Sequence, residues 1–149
     1  MRNVSIMFVL LALVACGPRK TTNLNIINIS KNKDLVLPVH IIAIDEGLRS
    51  RLDTMTAEDY FKSRLPETVS DVQVREMNEG TSDVIIASRA ESRKDFVVLL
   101  DLFDYEGAGQ KITLASGYYQ SKDVYLVIDD KGIRTVTKEY YENIRGQRR

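Results

Sequence analysis

Residues 96–103 read FVVLLDLF, the longest and most apolar strand-like run that follows the N-terminal leader. Both sets of alternate positions are apolar, and Asp101 is the one charged break. A strand with one wet face alternates apolar and polar residues, so a run apolar on both sides predicts a central strand covered on each face. Short runs with β-branched character surround it at 24–29 (LNIINI), 35–44 (LVLPVHIIAI), 84–87 (VIIA), 112–115 (ITLA), 124–128 (VYLVI) and 133–136 (IRTV). Pro38 cannot donate to a ladder, which places it on an edge strand or at a strand start. Within 69–77, alternation at Val72 and Val74 favours a further strand. Asp129-Asp130-Lys131-Gly132 reads as a hairpin turn, with Gly132 free to take positive φ.

Helix signals are few. Thr56 followed by Asp59 gives a capping-box-like start, Tyr60, Phe61 and Leu65 form an apolar face, and Pro66 ends it. A short terminal helix over 137–144 would use Tyr140, Tyr141 and Ile144. Seven or eight short strands with one short inserted helix predict a mainly β fold, a two-sheet β-sandwich. In it, the second sheet covers one face of FVVLLDLF and the helix covers the other. A single-sheet α+β domain is the alternative.

The only cysteine, Cys16, follows an apolar run near the N-terminus. Met1-Arg2-Asn3 is a positive start, and 4–14 is an apolar core of about 11 residues, the anatomy of an export signal. It is too short to span a bilayer, which takes roughly 20 apolar residues. Leu13-Val14-Ala15-Cys16 resembles the bacterial lipobox, with a small residue before the cysteine and apolar ones before that. The resemblance implies acylation of Cys16, cleavage before it and attachment to a lipid bilayer. A plain signal peptide with a chance cysteine is the simpler alternative. The expected organisation is a lipoprotein signal peptide at 1–15, lipidated cysteine and tether at 16–22, a sandwich domain at 23–144 and a frayed tail at 145–149.

With Cys16 acylated, the mature domain holds no thiol, so it forms neither a disulfide nor a CxxC metal site. Basic and acidic residues balance at 21 each, which gives no surface for nucleic acid. His40 is the only histidine, on the strand face of Ile42 and Ile44, and one histidine builds neither the usual zinc site nor a Ser-His-Asp triad. It reads as a hydrogen-bonded strand residue. Acidic groups at Asp45-Glu46, Glu58-Asp59, Asp101 with Asp104 and Glu106, and Asp129-Asp130 lack the tryptophan-lined cleft of a glycosidase and the spacing of a calcium loop. GAGQK at 107–111 departs from the phosphate loop, since a strand follows it, and reads as a turn. Tyr118, Tyr119, Tyr125, Tyr140 and Tyr141 suit an interface or a sheet surface. These observations predict a binding protein rather than an enzyme, with no cofactor and no metal.

The order of features resembles the small outer-membrane lipoproteins of type VI secretion membrane complexes. The segments that carry the resemblance are NLNIINI, SKNKD, LPVHIIAI, TAEDYFKSRL, FVVLLDLF and VYLVIDDKGI, which span most of the chain after Cys16. It implies a sandwich with an added helix that docks the periplasmic domain of an inner-membrane secretion subunit. The family's docking loop joins the first two strands, which corresponds to Lys31, Asn32, Lys33 and Asp34 here. A solvated turn is the plainer reading of those residues. The lipoprotein sorting pattern implies the outer membrane, facing the periplasm, because Gly17 and not aspartate follows Cys16. A secretin pilotin or another periplasmic binding lipoprotein is the alternative function.

Overall fold

The computed structural model describes residues 22–31, 35–87, 94–102, 108–119 and 122–148. Eight strands run in chain order as β1 (Thr22–Asn28), β2 (Leu37–Ile44), β3 (Val72–Met77), β4 (Ser82–Ala87), β5 (Asp95–Leu100), β6 (Lys111–Leu114), β7 (Val124–Asp129) and β8 (Gly132–Val136). They form two four-stranded sheets with orders β4-β1-β7-β8 and β3-β2-β5-β6. Neighbours are antiparallel except β1 and β7, which run parallel. The helices among the described residues are α1 (Glu46–Thr54), α2 (Ala57–Lys62), α3 (Leu65–Thr68), α4 (Ser116–Tyr119) and α5 (Lys138–Gln147). The two-sheet sandwich holds, and the single-sheet alternative falls.

Strand β5 sits where its residue pattern requires. Phe96, Val98 and Leu100 enter the core between the sheets with Leu24, Ile26, Val39, Ile41, Leu126 and Ile128. Val97 and Leu99 turn the other way, onto Ile42, Leu52, Tyr60 and Leu65. These five apolar side chains of β5 are at most 1% exposed. Each such burial is worth about 1.5–3 kcal/mol.

The helical cover is more extensive than the one short helix expected. Helix α1 has no counterpart in the sequence expectation, because Leu52 is its one buried residue and no apolar period marks it. Its two ends hold it instead. Asp45 accepts a hydrogen bond from the Leu48 N–H at 2.8 Å. At the other end, Lys111 Nζ donates to the carbonyls of Leu52 at 2.8 Å and Met55 at 2.5 Å, with Asp53 at 3.4 Å. A cation there meets both the orphan carbonyls and the negative end of the helix dipole.

Helix α2 begins with the capping box expected at Thr56 and Asp59. It ends at Lys62, before Pro66, which instead opens the first turn of α3, where its missing N–H costs nothing. Pro38 is the second residue of β2, an interior strand, so it marks a strand start and not an edge. Helix α5, capped by Thr137, covers the outer face of the first sheet by burying Tyr141 on Ile27 and Val127 and runs to Gln147, past Ile144. The layers are therefore helices, sheet, sheet and helix.

The β7–β8 hairpin turns as expected, with Asp129 opposite Gly132 and Gly132 at φ +121°. A Cβ at Gly132 would also overlap the carbonyl of Gly109, in the single 3-10 turn (Ala108–Gln110) that lies on the hairpin. Gly132→Ala should therefore cost about 2 kcal/mol or more in urea unfolding. Gly146→Ala, in α5 with open space around it, should raise stability by about 0.5–1 kcal/mol. Lys111→Met leaves the end of α1 without its donor, and urea unfolding should register a loss of about 1–2 kcal/mol.

Candidate functional site at the loop end

Strand β1 enters at Thr22 and leaves at Asn28. The segment that carries Cys16 and the β1–β2 loop thus attach to opposite ends of one strand, roughly 20 Å apart at about 3.3 Å per residue. The loop end is bolted through Asn28, which is fully buried. Its backbone N–H donates to the Thr81 carbonyl at 2.9 Å, and its carbonyl accepts from the Gly80 N–H at 2.8 Å. Its side-chain amide donates to the Met77 carbonyl at 3.2 Å. Its side-chain oxygen accepts from the Ser30 N–H at 3.0 Å and the Ser30 hydroxyl at 2.8 Å. Every polar group of this buried amide is used, which offsets its desolvation.

Lys31 continues the same tie. Its backbone N–H donates to Asp130 Oδ1 at 2.7 Å, which joins the loop to the β7–β8 hairpin while the side chain stays exposed. The start of the β1–β2 loop, the β3–β4 turn at 78–81 and the β7–β8 hairpin therefore share one end of the sandwich. Of the predicted docking residues, Lys31 lies there; Asn32, Lys33 and Asp34 lie outside the described residues, as does Cys16. Leu35 and Val36, just before β2, are both exposed, at 38% and 46%. The sequence reading passed over these two as part of an apolar strand run.

The acidic pairs serve structure. Asp45 caps α1, Asp59 completes the α2 capping box, and Glu58 pairs with Lys62 one turn on. Asp129 pairs with Arg134 at 3.1 Å and accepts the Lys131 N–H at 2.9 Å. Asp95, at the start of β5, pairs with Arg49 of α1 and accepts the Ser116 N–H at 2.7 Å. The hydrogen bond from Ser116 is the main reason its carboxyl is held below the usual range. Asp104 and Glu106 lie outside the described residues. Among the described residues, no three His, Cys, Asp or Glu side chains gather as metal ligands.

His40 is the hydrogen-bonded strand residue expected. Its Nδ1 lies 3.1 Å from the Tyr60 hydroxyl, and its ring meets Phe61 edge-on at 4.9 Å. Burial pushes the Tyr60 phenol up to about 12, so the group facing the imidazole is the neutral hydroxyl. Burial also lowers the His40 pKa, against an opposing pull from Asp101. Among the tyrosines, Tyr141 is buried and donates to the Ile26 carbonyl at 3.3 Å, and Tyr125 packs on it at 5.3 Å. Tyr140 is exposed beneath the Arg134 guanidinium, 5.4 Å from its ring centre. The side chains of Tyr118 and Tyr119 lie outside the described ones.

No protein-family model and no curated protein matches the sequence. Solved structures match the fold. A chain of the structure described as "T6SS protein TssM C-terminal domain (869-1107) from EAEC" aligns with a TM-score of 0.62 at 12% identity, over 79% of this chain and 98% of that one. A chain of "Type VI membrane complex" aligns at 0.65 and 13%, over 80% and 99%. The T6SS lipoprotein TssJ1 from Pseudomonas aeruginosa aligns at 0.57 and 13%, over 80% and 96%. The chain has the fold of the type VI secretion lipoproteins. The resemblance carried by strand patterns in the sequence is thus matched in three dimensions, at identities where the order of elements persists and few individual residues do.

The His40 environment sets a pH dependence. Because burial favours the neutral ring, the unfolded chain takes up this proton before the folded one as pH falls. Stability is therefore full above the ordinary histidine value of 6.5 and declines as pH drops from there through the lowered folded pKa. Thermal melts at pH 7.5, 6.0 and 5.0 should show that decline. His40→Gln should flatten it, and leave the carboxylate losses of Asp95 for pH values below 3.8.

Proposed function

We propose that this chain is an outer-membrane lipoprotein that docks the periplasmic domain of an inner-membrane secretion subunit and helps to assemble a type VI secretion membrane complex. The observation that carries the reading is the fold, shared over about four-fifths of the chain with TssJ1 and with a chain from the TssM C-terminal domain structure. The role is one of binding, not catalysis.

The polarity of β1 supports the reading. A domain held at the membrane through acylated Cys16 and a short tether into Thr22 would present the β1–β2 loop at the far end, away from the bilayer. One acyl chain anchors a protein only marginally, at about 0.8 kcal/mol per buried CH₂, so a stable attachment takes the two or three chains of a mature lipoprotein. Lys31, Asn32, Lys33 and Asp34 are the proposed docking residues, and their charges would steer the encounter and set its register more than its strength.

A crosslinked pull-down of the acylated protein from its native envelope tests this. Mass spectrometry should recover a large inner-membrane secretion subunit, and charge reversal at Lys31, Lys33 and Asp34 should reduce that recovery. Cys16→Ala should release the protein from the membrane fraction. Recovery of a secretin in place of the inner-membrane subunit would replace the docking role with that of a pilotin.

A further inference from the structure

The helices α1 to α3 cover only part of the outer face of the β3-β2-β5-β6 sheet. Their packing takes in Ile42, Ile44, Val72, Val97 and Leu99 and ends at His40, which Tyr60 and Phe61 flank. Beyond His40, toward the loop end, no helix among the described residues lies on the sheet. Two cross-strand rows lie at this boundary, and in the first the helices cover Leu99 and leave Val74 exposed. In that row, Val74 of β3 stands opposite His40 of β2, which stands opposite Leu99 of β5. In the next, Glu76 stands opposite Pro38, and the Asp101 N–H donates to the Pro38 carbonyl at 3.1 Å from the other side. Val36 precedes Pro38 by two residues, the spacing that keeps side chains on one face of an extended chain.

Val36 and Val74 are 46% and 49% exposed, two of the five large apolar side chains that are well exposed among the described residues. They flank an apolar strip with carboxylates on either side, Glu76 and Asp101. The strip runs directly into the β1–β2 loop, since Val36 is two residues past Asp34. We infer that this half-face belongs to the docking surface and receives an apolar side chain of the secretion subunit with basic residues beside it. The inference rests on the docking role proposed above and extends it from the loop onto the sheet. A second copy is a poor occupant, because a two-fold contact would bring the acidic rim against itself.

The test uses the full acylated chain in detergent, with the purified periplasmic domain of the inner-membrane subunit as the probe. Val74→Asp and Val36→Asp should each raise the Kd about tenfold or more, as removal of an apolar anchor at an interface does. Val74→Thr, close to the same shape, should fold normally and still weaken binding. Glu76→Lys should slow association and flatten its salt dependence. Lys31→Glu with Lys33→Glu serves as the loop reference. If the valine variants bind as the wild type does while the loop variant weakens, the sheet face is excluded and the docking role stands. If the wild type does not bind the domain, both fall. A wild-type dimer in sedimentation that Val74→Asp dissolves, with domain binding unchanged, would also overturn the inference.

Discussion

The architecture follows from the need to keep β5 dry on both faces. Five consecutive apolar residues, from Phe96 to Leu100, point alternately to opposite sides of one sheet, and none is more than 1% exposed. A single sheet with helices on one face only cannot do this, since its other face would stay wet. The second sheet supplies cover for Phe96, Val98 and Leu100, and the helices between β2 and β3 supply it for Val97 and Leu99. The chain has to leave the sheet after β2 to build that cover and return as β3, and this accounts for the long excursion between two paired strands.

Within that excursion α2 and α3 are held by the burial of Ala57, Tyr60 and Leu65, and α1 by polar contacts to the sheet beneath. Helix α1 buries little beyond Leu52, yet Lys111 of β6 binds its terminal carbonyls and Arg49 reaches Asp95 of β5. At the opposite edge, the chain crosses from one sheet to the other between β3 and β4, where Arg75 and Asp83 pair at 2.7 Å. Asn28 ties the same crossing to the end of β1. The start of the β1–β2 loop, the β3–β4 turn and the β7–β8 hairpin are thereby tied together at one end of the sandwich.

Much of the fold was legible in residue patterns. The capping box at Thr56 and Asp59, the Gly132 turn, the strand at Val72 and Val74 and the two-sided burial of β5 all express local chemistry: a side chain that satisfies its own backbone, a φ open to glycine, or a strict alternation. Helix α1 escaped because its stabilising partners, Lys111 and Asp95, lie far away in sequence. Pro66 misled as a terminator because the chain restarts a helix around it. In the candidate site, Lys31 was visible as a charged loop residue, while Val36 and Val74 looked like ordinary strand residues.

By itself the sequence determined the strand periodicity, the turn positions and the single cysteine and single histidine that limit any reactive centre. These depend on composition and nearest neighbours, which a linear chain already contains. Only the tertiary structure decided which strands pair, how far the helices reach across the outer sheet and which apolar side chains stay uncovered. Exposure is a property of what other segments fail to cover. Val74 and Val97 lie on the same face of one sheet, the first 49% exposed and the second 1%. Val74 is on the edge strand beyond the reach of the helical layer and Val97 on an interior strand beneath it, which no pattern within either strand records.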